Sequence, residues 1–309
     1  MSAAAFAGIY PAFPTPTTDA GLVDEHALRA LLRFLLASGV SGLVPVGGTG
    51  EFTALSPKAR MRAVEITVEE SAGRVPVIAG VLSPGYAEAV EMGNAFRQAG
   101  VQALLVLAPF YVRPTQEAIR SYFSAYRNDV DLPVLFYDIP GKTAVVTASS
   151  TVIEMARDGS IVGMKACNTD MHHFNQIMTS VAPGFSALSG EDTLFPFHMA
   201  MGACGGILAT ATIMPHYWLR MLAAANAGDI RKAVEMQQVL VPFLDAVFSE
   251  TNPGPLKDAL SILGLPSGKA LRPLSEPSAR TRERLVTEIA ALRARGVIQP
   301  LGSIERLVS

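Results

Sequence analysis

Short, unbroken apolar runs alternate with segments of helical period along most of this chain, and that alternation limits the fold more than any other feature. The runs are GIYPAF from Gly8, GLVPVG from Gly42, VPVIAGV from Val75, ALLVLAP from Ala103, PVLFYDI from Pro133, IVGMKAC from Ile161, FSALSG from Phe185 and GGILAT from Gly205. Continuous rather than alternating hydrophobicity marks parallel strands buried on both faces. The segments between them carry helix signals. The segment from Asp24 has acids in its first turn and ends at Gly39 as a C-terminal cap, Ser56 is an N-cap followed by Pro57, and Thr115 opens TQEAIRSYFSAYRN as a cap followed by an acid. Units of this kind repeating about every 30 residues predict an α/β fold, a (β/α)8 TIM barrel. A doubly wound sheet is the competing architecture, but it has fewer strands and a nucleotide loop near the first one. After Pro215 the strand pattern stops and every remaining segment has helical period. The expected division is therefore a barrel over residues 1–225 and a C-terminal helical domain over 226–309.

Composition narrows the function classes. Half of the 309 residues are hydrophobic and 17% are charged, which supplies a large core and excludes a disordered chain. A net charge of −2 gives no electrostatic footprint for nucleic acid or for a membrane surface. Two cysteines, Cys167 and Cys204, make neither a disulfide framework nor a zinc cluster and fit a reducing cytoplasm. The N-terminus lacks a basic start and meets prolines early, so no signal peptide is expected, and Gly, Pro or charge breaks each apolar run before it could span a bilayer.

Active sites of barrels lie at the carboxyl ends of the strands. Lys165, one of only six lysines, stands in the otherwise apolar run IVGMKAC. A lysine there is unfavourable unless paired or neutral, and desolvation is expected to lower its pKa and free the amine as a nucleophile toward a ketone. The competing reading is an ordinary lysine that snorkels to the surface or pairs with a carboxylate. Tyr137 and Asp138 end the fifth run, where a tyrosine either transfers protons near Lys165 or holds the rim. In GGTGE, Gly47 to Glu51, adjacent glycines let backbone N–H groups approach an anion and Thr49 adds a hydroxyl; a tight turn without a ligand is the bland alternative. Cys167 reads as a core filler, His172 and His173 as surface residues, and Glu191 and Asp192 as caps of a helix near Thr193. No His/Cys/Asp/Glu set has metal-ligand spacing.

Taken together, GGTGE after the second strand, YDIPGKT after the fifth and GMK in the sixth resemble the dihydrodipicolinate synthase / N-acetylneuraminate lyase family of class I aldolases. APFYVRPTQE at Ala108, SGED at Ser189, GGILAT at Gly205 and NPGPLK at Asn252 agree in order and spacing, and the resemblance spans Gly8 to Lys257. It implies a barrel with C-terminal helices, a homotetramer, and a Schiff base between Lys165 and pyruvate or another 2-oxo acid, with no metal or organic cofactor. It implies Tyr137 as proton relay, Thr49 and the Gly48 backbone as holders of the keto acid carboxylate, Gly190 and Ile207 as pocket lining, and Tyr111 as a residue inserted into a neighbouring subunit's site.

Two positions depart from the synthase pattern. Gly48 stands where the synthases carry a threonine, and Lys142 where they use an arginine for the second substrate's carboxylate; lysine keeps the charge without the bidentate fork. Phe110 and Pro84 replace residues associated with lysine feedback, so lysine inhibition is not expected. The leading functional reading is a lyase or synthase that makes or breaks a C–C bond between pyruvate and an aldehyde-type acceptor. A 2-keto-3-deoxy sugar-acid aldolase or dehydratase is the alternative that Gly48 favours. A non-catalytic keto-acid-binding barrel is the third, and it has no need of both Lys165 and Tyr137.

Overall fold

The computed structural model describes residues 5–299. Seven parallel strands, β1 (Gly8–Pro11), β2 (Ile78–Val81), β3 (Ala103–Leu107), β4 (Val134–Asp138), β5 (Gly163–Ala166), β6 (Ser186–Ser189) and β7 (Gly205–Leu208), are hydrogen-bonded in the order β1-β7-β6-β5-β4-β3-β2. The run at Gly42 does not form a full strand. Leu43 bridges Val77 and Val44 bridges Ala12, and these two residues close the gap between β1 and β2. The reason is local. Pro45 has no N–H to donate, and Val46 takes a left-handed φ of 48°, which turns the chain out of the ladder. The result is the predicted (β/α)8 barrel, with its second strand cut to a pair of bridges.

The outer layer follows the sequence signals. Helices α1 (Glu25–Ala37), α2 (Pro57–Ser71), α3 (Tyr86–Ala99) and α4 (Gln116–Val130) alternate with the first strands. Asp24, Ser56 and Thr115 each accept a backbone N–H at the start of α1, α2 and α4 respectively. The single turn α5 (Pro140–Thr143), then α6 (Ser149–Arg157), α7 (Met171–Met178), α8 (Phe195–Ala200) and α9 (Pro215–Asn226) complete the ring. The C-terminal segments fold as α10 (Ile230–Val247), α11 (Gly254–Ile262) and α12 (Ala279–Ala294). Buried Gln237 of α10 donates to the Asp192 carbonyl at 2.8 Å, which ties the C-terminal helices to the loop after β6. No helix among the described residues is long and apolar enough to cross a membrane.

His198 of α8 is fully buried, with its ring centroid 4.4 Å from that of Phe174 and Nδ1 2.8 Å from the Ser189 hydroxyl, while Nε2 has no partner. Burial pushes its pKa down to about 4. The unfolded chain takes up this proton near pH 6.5, whereas the folded chain resists it until about pH 4. Stability present above the unfolded value is therefore lost as the pH falls through that window, by up to about 3 kcal/mol. Urea unfolding near neutrality and near about pH 4.5 checks this. His198→Gln is expected to lose less stability than the native chain between the two conditions, and an equal loss in both proteins would contradict the assignment.

Candidate active site

Tyr137 and Lys165 are 28 positions apart in sequence, and the β4–β5 register makes them direct neighbours. Lys165 Nζ donates to the Tyr137 hydroxyl at 3.4 Å and lies 4.6 Å from the ring centroid. The lysine is only 6% exposed. Gly190, just past β6, makes room for it. A Cβ on Gly190 would stand 2.6 Å from Lys165 Cγ and 2.3 Å from Cys167 Sγ, so a larger residue there would displace the nucleophile. The Cys167 thiol donates to the Gly190 carbonyl at 2.9 Å, and burial pushes its pKa up to about 12, which leaves it a neutral thiol.

Electrostatics correct one expectation. Burial disfavours the Lys165 ammonium, but the Tyr137 oxygen that accepts its hydrogen bond and the nearby Asp192 favour it, and the balance leaves the amine above the ordinary lysine value. Desolvation alone had pointed the other way. Burial pushes Tyr137 up to about 12, against a lowering effect of Lys165, so the phenol keeps its proton at neutral pH and can donate it.

A cavity of about 300 Å³ reaches the Tyr137 member of this pair and is lined by Gly48, Thr49, Tyr137 and Lys142. Leu82, Leu107, Phe110 and Ile139 form an apolar wall, and Asn252, Leu271 and Leu274 close it from the C-terminal side. Four of the expected site residues thus share one cavity. Lys165 and Gly190 are not among its lining residues, and Lys165 is linked to it through the bond to Tyr137. Ile207 is fully buried in β7, paired in register with Tyr10. Tyr111 is 95% exposed and takes a left-handed φ of 74°, so within one chain it stays outside the cavity. A Cβ on Gly48 would lie 3.7 Å from the Tyr137 hydroxyl, an ordinary contact, so the glycine leaves open space over the phenol.

The Gly47–Glu51 loop is held by residues that sequence reasoning did not single out. Buried Glu51 pairs with buried Lys257 of α11 and accepts from Leu271 N at 2.7 Å. Lys257 also donates to the Lys269 carbonyl at 2.7 Å. Burial pushes the Lys257 ammonium below its ordinary value, and Glu51 opposes that shift. Removing one partner from such a buried pair generally costs about 3–5 kcal/mol, because the other charge is left uncompensated.

Two readings of polar residues are corrected. His173 is buried, not on the surface, and its Nε2 lies 3.1 Å from Asp138 Oδ2. Alternation along β4 points Tyr137 into the barrel and Asp138 outward toward α7, where His173 sits. Glu191 and Asp192 do not cap α8, which has no side-chain cap. Asp192 instead accepts from Ala209 N at 3.2 Å, Thr210 N at 2.9 Å and Thr210 Oγ1 at 2.6 Å, pinning the turn after β7. Among the described residues, no group of three or more His, Cys, Asp or Glu is placed to hold a metal ion.

The family model described as the dihydrodipicolinate synthetase family matches residues 5–292. The chain belongs to this family. It is 37% identical over 278 residues to the 4-hydroxy-tetrahydrodipicolinate synthase of Rhodospirillum centenum, covering 90% of this chain and 95% of that one. The crystal structure of dihydrodipicolinate synthase from Aquifex aeolicus superposes with a TM-score of 0.89 at 32% identity, over 95% of this chain and 99% of that one. The chloride-inhibited enzyme from Acinetobacter baumannii, solved with pyruvate, gives 0.90 at 30% identity, over 95% and 100% of the two chains. Dihydrodipicolinate synthetase family membership makes the protein an enzyme of the class I aldolase type, a lyase that works through a lysine Schiff base.

Proposed function

We propose that this family member joins pyruvate to an aldehyde carrying a carboxylate. The observation that supports it most is a buried amine, Lys165, 3.4 Å from a protonated phenol at the base of a cavity whose wall includes the Lys142 ammonium. The pyruvate complex of the Acinetobacter baumannii relative supports the same donor. In this reading Lys165, once deprotonated, attacks the keto carbon. Tyr137 gives a proton to the carbinolamine oxygen, which leaves as water, and the imine remains. Loss of a proton from the adjacent methyl carbon gives an enamine, which forms the new C–C bond to the aldehyde carbon. Hydrolysis then frees the product and restores the amine. Thr49 and the Gly48 backbone hold the keto acid carboxylate, Gly190 and Ile207 shape the wall behind the imine, and Lys142 meets the acceptor's carboxylate as a point charge.

The barrel of residues 1–225 carries the covalent chemistry, and the helical part from 226 onward supplies one side of the cavity. Exposed Tyr111, beside exposed Val112, supports a homotetramer in which this tyrosine reaches a neighbouring copy's site. A cytoplasmic location fits the cysteine content.

The space above Tyr137 left by Gly48 favours a second reading, in which a bulkier 2-keto-3-deoxy sugar acid is cleaved or dehydrated. Steady-state kinetics with aspartate semialdehyde and with hydroxylated acids separates the two. A kcat/KM for the semialdehyde of about 10⁴ M⁻¹s⁻¹ or more supports the first reading, and Lys142→Ala is then expected to raise its KM while pyruvate imine formation is unchanged. Turnover of sugar acids alone would replace the first reading with the second.

A further inference from the structure

Thr49 is reached from the far end of the chain. Asn252, between α10 and α11, donates from Nδ2 to Thr49 Oγ1 at 2.9 Å across 203 positions, and both residues line the cavity. A threonine hydroxyl has one proton to give and two lone pairs. The amide of Asn252 occupies a lone pair, and no acceptor among the described residues takes the Thr49 proton. The remaining amide oxygen, Asn252 Oδ1, is buried and has no partner, so it does not compete for that proton.

The same segment grips the loop two residues further on. Glu51 is tied to Lys257 and to Leu271 N, both C-terminal. Val46 and Glu51 bracket the loop with left-handed φ values of 48° and 59°. Non-glycine residues keep such backbone only where the surroundings over-determine it. The anion-facing loop therefore belongs mechanically to the C-terminal helices as much as to the barrel.

We propose that Asn252 is a positioning residue. By donating to Thr49 Oγ1 it directs the Thr49 O–H toward the carboxylate of the 2-oxo acid. It acts through Thr49 and need not touch the substrate. Affinity for the donor substrate is thereby set in part by the C-terminal helical segment. This inference rests on the reading above that Thr49 holds the carboxylate.

The test is a double-mutant cycle on the full-length protein, read as the pyruvate concentration that half-saturates borohydride trapping of the imine, with kcat measured alongside. Thr49→Val is expected to raise the half-saturating concentration about tenfold or more, the range for a hydrogen bond to a charged group. Asn252→Ala is expected to raise it about threefold to tenfold, with a smaller effect on kcat. Asn252→Asp keeps the shape but replaces the amide donor with an acceptor that draws the Thr49 proton to itself, so its loss exceeds that of alanine. In the Thr49→Val background, Asn252→Ala adds nothing.

An unchanged half-saturation in Asn252→Asp, or fully additive losses in the double variant, overturns the positioning role while Thr49→Val still supports the carboxylate site. No effect of Thr49→Val brings down both.

Discussion

Lys165→Arg abolishes turnover and leaves no pyruvate attached after borohydride reduction, while far-UV circular dichroism and thermal melting remain those of a folded barrel. Arginine keeps the positive charge that the Tyr137 oxygen and Asp192 favour at this position. A guanidinium does not lose its proton in proteins and cannot attack a ketone. The variant therefore separates charge from nucleophilicity. Because Gly190 leaves little room around the side chain, Lys165→Ala serves as the smaller companion and gives the same chemical result. Intact-protein mass spectrometry reads the outcome directly. A pyruvate-labelled Lys165→Arg protein would place the imine on another amine and remove the central element of the proposed mechanism.

Tyr137→Phe lowers kcat by about 10²–10⁴-fold, the usual contribution of a positioned general acid–base. Pyruvate still binds, because the phenol is not among the groups that hold its carboxylate. The pH dependence supplies a second readout. The phenol is one of the neighbours that favour the Lys165 ammonium. The free amine is the attacking form, so imine formation accelerates with rising pH in the native protein. Without the phenol the ammonium loses support, its pKa falls, and the rise shifts to lower pH. A variant with native kcat and an unshifted profile would return Tyr137 to a packing role at the rim. Stopped-flow measurement of imine formation from neutral to alkaline pH distinguishes the outcomes.

The architecture was readable because its signals are local. Burial on both faces writes a parallel strand as an unbroken apolar run, and capping writes a helix start as a single side chain. Ser56 and Thr115 therefore appear in the structure in the roles their positions predict. Lys165 stood out for the same reason, as one cation inside an apolar run. The second strand misled because apolar content does not reveal a left-handed Val46 after Pro45. His173 misled because it follows exposed His172, and only the packing of α7 against the end of β4 brings it to Asp138.

By itself the sequence determined the order of eight strand–helix units, the helical C-terminal part, and the residue types available for imine chemistry at the strand ends. These follow from interactions spanning a few residues along the chain. The tertiary structure alone decided which of those residues meet. The β4–β5 register sets Tyr137 beside Lys165, and burial with those neighbours, rather than burial by itself, sets the direction of the lysine's pKa. Closure of the C-terminal helices over the barrel mouth brings Asn252 to Thr49 and Lys257 to Glu51, contacts more than 200 positions apart. No periodicity of a strand or a helix carries information over that separation; only the packing of one completed layer on another does.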